Sequence, residues 1–313
     1  TSRVLARFAE FRAFHLAQLD KRSRKVPWES VLKPGVPVRV DVTTRKSKIY
    51  HAGAAKERIV RAITEGSGAP VAEDAAVRLL VRIEDNLVTL SVDTSGEPLH
   101  RRGLKQAVGK APMRETLAAS FLRACGYDGS EPVLDPMCGS GTFVIEAAEI
   151  ASGLWPGRAR RFAFEELATF DAAAWIAMKA GNGPAGTDLR FFGSDRDDGA
   201  IASARANAER AGVSDICAFE RRAVSDLVRP AGPVGLVMVN PPYGARIGNR
   251  KLLYAVYGAL GEVLRERFAG WRVGLVTSDE PLARATKLPF TPPGPPIPHG
   301  PLKIRLWETG PLP

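Results

Sequence analysis

The sequence predicts an α/β chain in two parts, a small α+β unit followed by a larger parallel sheet with helices between its strands. Two observations carry that prediction. Near residue 116 the patterning changes from short alternating segments to strands that alternate with helices, the signature of a parallel sheet. Charge changes at the same place. The 313 residues hold 44 Lys+Arg against 34 Asp+Glu, a net +10. Before residue 116 there are 22 basic and 13 acidic residues, and from there on 22 and 21. A basic proteome would spread that excess evenly; concentrated in the first third, it points to a polyanionic partner for that part.

At the start, Val4, Leu5, Phe8 and Phe11 fall on one face of a helix, so residues 1–29 are expected to be helical and packed rather than a transit peptide. Thr1 in place of Met suggests a processed or shortened start. Val36 to Val42 alternates apolar and polar residues as a half-buried strand does, and Ala54 to Ile63 reads as a helix with Ile59, Val60 and Ile63 on one face. Val77–Ile83 and Leu87–Val92 are strands joined by Glu84-Asp85-Asn86, a hairpin signal. Arg78 and Arg82 share one face of the first of these strands, open to solvent or to phosphate. The small unit therefore spans 30–98. Residues 99–115, with His100, Arg101, Arg102 and Lys105, lack periodicity and read as a basic linker between domains.

The larger unit, 116–313, begins with a short strand ending at Asp135, followed by a helix over Thr142–Ser152. A second strand, Leu189–Asp195, precedes an Ala-rich helix, Ala200–Ala211, stopped by Gly212. A weak strand at Ile216–Arg221 and a buried one at Val234–Val239 come next. A long helix, Lys251–Phe268, leads to another buried strand, Trp271–Thr277. Seven of the thirteen residues from 289 to 301 are Pro, a stiff polyproline-like loop before a last strand, Leu302–Trp307.

Composition excludes several classes. No apolar run approaches the ~18 residues that span a bilayer, and no signal-peptide h-region is present, so no membrane contact is expected. Three cysteines (Cys125, Cys138, Cys217) without a CxxC spacing fit a reducing cytoplasm rather than a disulfide scaffold. With four scattered histidines they also give no metal set.

The sharpest motif is Asn240-Pro241-Pro242-Tyr243, directly after a buried strand, where α/β folds place ligands. Two prolines fix φ and remove two N–H donors, so the turn is stiff and offers carbonyl acceptors. The Asn amide adds an acceptor and the Tyr a flat face. Together they suit an exocyclic amine on a planar heterocycle. Such an amine is a poor nucleophile, because its lone pair is delocalised into the ring. The Asn240 side-chain oxygen and the Pro241 carbonyl can take both N–H bonds and draw the nitrogen toward tetrahedral geometry, with Tyr243 stacked on the base. Asp135-Pro136-Met137-Cys138-Gly139-Ser140-Gly141 opens a helix. Its glycines allow close backbone approach, and the helix N-terminus favours a carboxylate or phosphate. That leaves dinucleotides, phosphates and adenosyl sulfonium cofactors open, although neither GxGxxG nor a P-loop occurs. Asp195 closes the second strand, where a carboxylate can hold a ribose diol. Its distance from Asp135 requires an insertion at about 153–187.

DPMCGSG, then GSD at 193–195, then NPPYG at 240–244 resembles the class I S-adenosylmethionine-dependent RNA methyltransferases that act on exocyclic amines. Upstream, DTSGEPLHRRG at 93–103 and APMRE at 111–115 are similar to the THUMP-containing branch, whose large-subunit rRNA guanine-N2 methyltransferases share this junction. The resemblance covers roughly 30–313. It implies a seven-stranded Rossmann-like S-adenosylmethionine methyltransferase domain preceded by a THUMP RNA-binding domain, with 1–29 the remnant of a ferredoxin-like segment. It further implies that Asp135, Pro136, Gly139, Gly141 and Thr142 line the cofactor, Asp195 holds its ribose and Arg196 flanks its adenine. Asn240, Pro241, Pro242 and Tyr243 would hold the target base, with Asn240 also beside the cofactor. The family's Asp after the third strand is replaced by Ala223; Asp226, three residues on, or a backbone group is the expected substitute. Arg78, Arg82, His100, Arg101, Arg102 and Lys105 are the expected RNA contacts.

The activity expected is guanine-N2 methylation of RNA, foremost large-subunit rRNA, by a cytoplasmic monomer. A tRNA guanine-N2 or an adenine-N6 methyltransferase of DNA or RNA is the alternative, since NPPY serves either amine. A non-catalytic RNA-binding protein is opposed by the intact motif residues, and an NAD-dependent oxidoreductase by the missing glycine fingerprint. Cys138 is expected to pack rather than to attack, because C5-pyrimidine chemistry needs its Cys in the loop that here reads NPPY.

Overall fold

The computed structural model describes residues 2–105, 113–180, 186–243 and 250–313. Expectations that fall on Thr1, 106–112, 181–185 and 244–249, among them the later part of the linker and Gly244, lie outside the described residues. In chain order the elements are β1 (Leu5–Arg12), α1 (Leu16–Ser23), β2 (Val38–Arg45), α2 (Ala52–Ser67), β3 (Val77–Glu84), β4 (Leu87–Asp93), α3 (Glu115–Ala124), β5 (Val133–Asp135) and α4 (Thr142–Ala151). There follow α5 (Ala172–Ala180), β6 (Phe191–Asp195), α6 (Asp198–Ala211), β7 (Cys217–Arg221), β8 (Leu236–Val239), α7 (Arg250–Arg267), β9 (Arg272–Thr277), α8 (Glu280–Ala285), β10 (Ile297–His299) and β11 (Leu302–Glu308). The chain divides into two compact units, Thr1–Leu99 with Arg160–Gly181, and His100–Ala159 with Asn182–Pro313.

The smaller unit is a four-stranded sheet of order β1-β4-β3-β2. β2 and β3 run parallel, and the other pairs are antiparallel. The β3–β4 hairpin turns on Asp85 and Asn86, both at positive φ (49° and 63°), the type I′ chemistry that matches strand twist. Leu19 of α1 and Ile59 and Ile63 of α2 close over one sheet face with Val40, Leu79 and Val81. Part of the 153–187 insertion completes this core. Leu167 is buried in it, Phe164 packs against it, and the Arg160 guanidinium donates to the carbonyls of Ser95, Glu97 and Pro98.

The start of the chain corrects the helical expectation for 1–29: residues 5–12 are an edge strand paired with β4, and only α1 within that range is α-helical. The cause is a β-bulge. Pairing shifts between Arg7 and Ala9, so Phe8 is inserted and the strand alternation slips by one residue. Phe8 and Phe11, three apart, then both pack against the core, with Phe8 edge-on to Trp28 at 5.8 Å between ring centroids. A bulged strand thus imitates helical spacing.

In the larger unit, seven strands among the described residues form one mixed sheet, order β10-β11-β9-β8-β5-β6-β7. β9-β8-β5-β6-β7 are parallel, and β11 and β10 complete the edge antiparallel. Both faces of the central strands are covered, so they read as continuous apolar runs. Val133, Leu236 and Met238 join the core with α3, α4 and α6, while Leu134, Val237 and Val239 join the opposite core with α7 and α8. The polyproline-like loop is shorter than expected, because Ile297–His299 pair with β11 as β10. Pro298 is tolerated there because β10 is an edge strand. The linker expectation is corrected for its described residues: 100–105 and 113–115 belong to this unit. Among the described residues no helix is long and apolar enough to cross a membrane.

Gly261 of α7 faces the chain after α8; a Cβ there would stand 1.8 Å from the Thr286 carbonyl oxygen. Helix propensity favours Ala over Gly by about 1 kcal/mol, but backbone cannot yield to such a clash cheaply. Gly261→Ala is therefore expected to destabilise the fold, by about 1 to 3 kcal/mol, as read from urea unfolding.

Candidate active site

β5 is followed outward by β6 and β7 on one side and by β8 and β9 on the other, so the chain reverses its build direction between β5 and β8. In open α/β sheets ligands bind outside the carboxyl ends of the strands at such a switch point. Asp135 ends β5, Asp195 ends β6, and Asn240 comes directly after β8. Leu134 pairs with Val237 and also with Phe192, which fixes these three strand ends in register.

Asp135 is buried, and its Oδ1 accepts from the Met137 N–H at 3.0 Å. Burial pushes its carboxyl up to about 8, against the pull of that N–H, with the Asp195 charge adding to the rise. Asp195 Oδ2 accepts from Gly139 N–H at 3.1 Å and Oδ1 from Asp197 N–H at 3.0 Å. A further bond, Cys138 N–H to the Ser194 carbonyl at 2.9 Å, ties the turn after β5 to β6. The turn ends at Gly141, the N-cap of α4, with φ 82°. Among the described residues no side chain caps α4, which leaves its first-turn N–H groups open to a partner. Gly139, at φ 51°, has open space where a Cβ would stand. Pro136 is buried within the turn. Arg196 is exposed, its carbonyl accepting from Arg221 Nε.

Ala223 caps a single 3-10 turn, Val224–Asp226, and the exposed Asp226 carboxylate accepts from Ser225 Oγ at 3.2 Å. Cys138 is buried, and burial pushes its thiol well above the ordinary value. Burial thus favours its neutral thiol over the thiolate.

Beyond β8, Asn240 is half-buried, Pro241 buried and Pro242 exposed. The Asn240 Oδ1 is buried without a hydrogen-bond partner among the described residues, which costs free energy unless something supplies a donor. Tyr243 packs one side against the apolar core, and burial pushes its hydroxyl up. Among the described residues no group of His, Cys, Asp and Glu is arranged to hold a metal ion.

Two expected RNA contacts are corrected. Arg102 is 7% exposed and ion-paired with Glu146 at 2.6 Å and Glu149 at 3.3 Å, so it is closed to phosphate. Lys105 Nζ is engaged by the Met113 carbonyl and Thr142 Oγ1. Arg78 and Arg82 do project from one face of β3, paired with Asp41 and Glu84; Arg101 is exposed and His100 half-buried. Asn207 was not singled out from the sequence, yet its Nδ2 donates to the Ser140 carbonyl in the turn. The available signal was an asparagine among the alanines of α6.

The sheet, its switch point and the acid-ended strands define an α/β protein whose candidate site lies where β5, β6 and β8 end. Residues 102–289, well over half the chain, match the RMKL-like methyltransferase domain, and the chain belongs to that family. It is similar to ribosomal RNA large subunit methyltransferase K/L of Vibrio campbellii, 39% identical over 220 residues, which are 68% of this chain and 31% of that protein. The match thus spans about a third of that relative's length. A solved structure from Listeria monocytogenes, named a predicted N6-adenine-specific DNA methylase, superposes with TM-score 0.86 at 29% identity, covering 99% of this chain and 83% of that one. SMU.472, crystallised with SAH, superposes with TM-score 0.84 at 25% identity over 100% of this chain and 85% of its own.

The raised pKa of Asp135 couples stability to pH. Between pH 3.8 and about 8 the unfolded chain has released this proton while the folded chain keeps it. Asp135 therefore favours folding less and less as pH rises through that window. Without ligand, Asp135→Asn is expected to melt progressively above the parent protein from pH 5 to pH 8, as read by thermal unfolding at several pH values.

Proposed function

We propose that the chain is an S-adenosylmethionine-dependent methyltransferase acting on the exocyclic N2 amine of a guanine in RNA, foremost large-subunit rRNA. The observation that carries this is the Asn240 Oδ1, a buried acceptor after the end of β8 with no donor among the described residues, followed by two prolines. The family match and the rRNA methyltransferase of Vibrio campbellii support the reaction class and the substrate.

The residues present fit the cofactor. A ligand carrying an ammonium group would relieve the buried Asp135 carboxyl, the Asp195 oxygens have lone pairs left for ribose hydroxyls, and the uncapped start of α4 suits a carboxylate. Gly139 leaves room for close approach, and Asp226 or the backbone beside Ala223 flanks the adenine side. When bound, the sulfonium supplies a methyl group already activated toward nucleophiles. The chain itself contributes positioning. Asn240 Oδ1 and the Pro241 carbonyl accept the two amine N–H bonds, and the exposed side of Tyr243 supports the ring. No general base is required, because the proton leaves the amine to Asn240 or to solvent after transfer. To reach this loop the base must leave its stack, which favours single-stranded or loosened RNA.

The smaller unit is read as a THUMP RNA-binding domain over 30–98, with Arg78 and Arg82 on an open sheet face as phosphate contacts; His100 and Arg101 extend that role to the start of the larger unit. The concentration of positive charge before residue 116 supports this. A second reading, adenine-N6 methylation, is favoured by the Listeria likeness and by acceptors that suit either amine.

The test is incubation of the full chain with labelled S-adenosylmethionine and undermodified rRNA or tRNA, then nucleoside mass spectrometry. N2-methylguanosine in large-subunit rRNA is expected; N6-methyladenosine alone would replace the base assignment. Asn240→Ala is expected to lower kcat by about a hundredfold or more with cofactor affinity kept, and full activity in that variant would remove the acceptor mechanism. RNA affinity should fall steeply with salt, and Arg78→Ala with Arg82→Ala should flatten that dependence in a filter-binding series.

A further inference from the structure

The residues behind the turn after β5 form a connected set. Asn207 on α6, 2% exposed, donates from Nδ2 to the Ser140 carbonyl at 3.0 Å, and its Oδ1 accepts from Arg210. Arg210 also donates from Nε to the Leu104 carbonyl at 2.9 Å. One residue on, Lys105 Nζ donates to Thr142 Oγ1 at 2.8 Å and to the Met113 carbonyl at 2.9 Å. Ser140 and Thr142 are thus gripped on either side of Gly141, whose own place is closed by Ala204 and Phe219, each 3.1 Å from where a Cβ would stand. The cavity between Lys105, Thr142, Glu146 and Asn207 is about 20 Å³, room for a single water. No nucleoside fits there, so the cluster supports the turn rather than binding a ligand itself.

We propose that Asn207 and Lys105 are positioning residues that fix the Ser140–Gly141–Thr142 turn, so that the first N–H groups of α4 are preset for the cofactor. The inference rests on reading that turn as part of the cofactor site. An amide that donates to one carbonyl while its oxygen is held by a guanidinium has a single orientation, and it sets the peptide plane it touches. The ammonium of Lys105 does the same to the hydroxyl at the first helical position. A site held this way need not order itself when the ligand arrives.

Asn207→Asp keeps the shape but sets an oxygen against the Ser140 carbonyl. Lys105→Met keeps the length and removes the ammonium, and Lys105→Arg restores a donor. The full chain and each variant would be titrated calorimetrically with S-adenosylhomocysteine, with melting temperature, RNA affinity, KM and kcat measured alongside. The expected result is a Kd for S-adenosylhomocysteine raised about tenfold or more in the Asp and Met variants. KM for the methyl donor should rise with it, RNA affinity should not change, and Lys105→Arg should recover part of the loss. Folded variants that bind as the parent does would overturn the proposal, since a merely structural role moves the melting temperature and not the Kd of folded protein. Should Asn207→Asp not fold, Lys105, less buried than Asn207, decides alone through its Met and Arg variants. Failure of the parent chain to bind S-adenosylhomocysteine would instead sink the cofactor reading, and that titration shows it separately.

Discussion

Two hydrogen bonds tie the carboxyl ends of β5 and β6: Cys138 N–H to the Ser194 carbonyl, and Gly139 N–H to the Asp195 carboxylate. β5 is three residues long and lies in the middle of the five parallel strands of the larger sheet, with a parallel neighbour on each side. So short a strand cannot fix the turn beyond it by its own ladder. The two bonds carry the strand's order into that turn, and α4 begins where they leave off. They also bring the carboxyls of Asp135 and Asp195 close enough for the Asp195 charge to add to the burial that keeps Asp135 protonated. The site and the middle of the parallel strands are one construction.

Elements whose patterning is local were legible in the sequence. The β3–β4 hairpin was readable from two alternating runs and a turn that tolerates positive φ, and the buried strands β8 and β9 from apolar runs of strand length. The opening strand was not legible, because a bulge shifts alternation into three-residue spacing, and spacing is what separates strand from helix in a sequence. α5 was missed for another reason. Its residues, Ala172–Ala180, bury no face completely, so there is no amphipathic stripe to detect.

In the site, Asp135, Asp195 and Asn240 stood out because each closes a strand, a position readable from one dimension. Arg102 misled because charge and burial are independent until partners are known. Glu146 and Glu149 sit three apart on α4, a spacing that suggests a solvated face, yet both are buried against the arginine. Ion pairs between distant segments leave no local trace, and a basic run looks the same whether it meets RNA or its own chain's carboxylates.

The return of 160–181 to the smaller unit affects how the chain is made. The stretch up to residue 99 encodes the sheet, α1 and α2, but not Phe164 and Leu167, which finish that core. The segment 160–181 must be synthesised before the smaller unit can close. By then the segment carrying α3, β5 and α4 has already emerged. The smaller unit is therefore discontinuous in sequence, with part of the larger unit's chain lying between its two pieces. A contiguous fragment ending at residue 99 would lack part of its core.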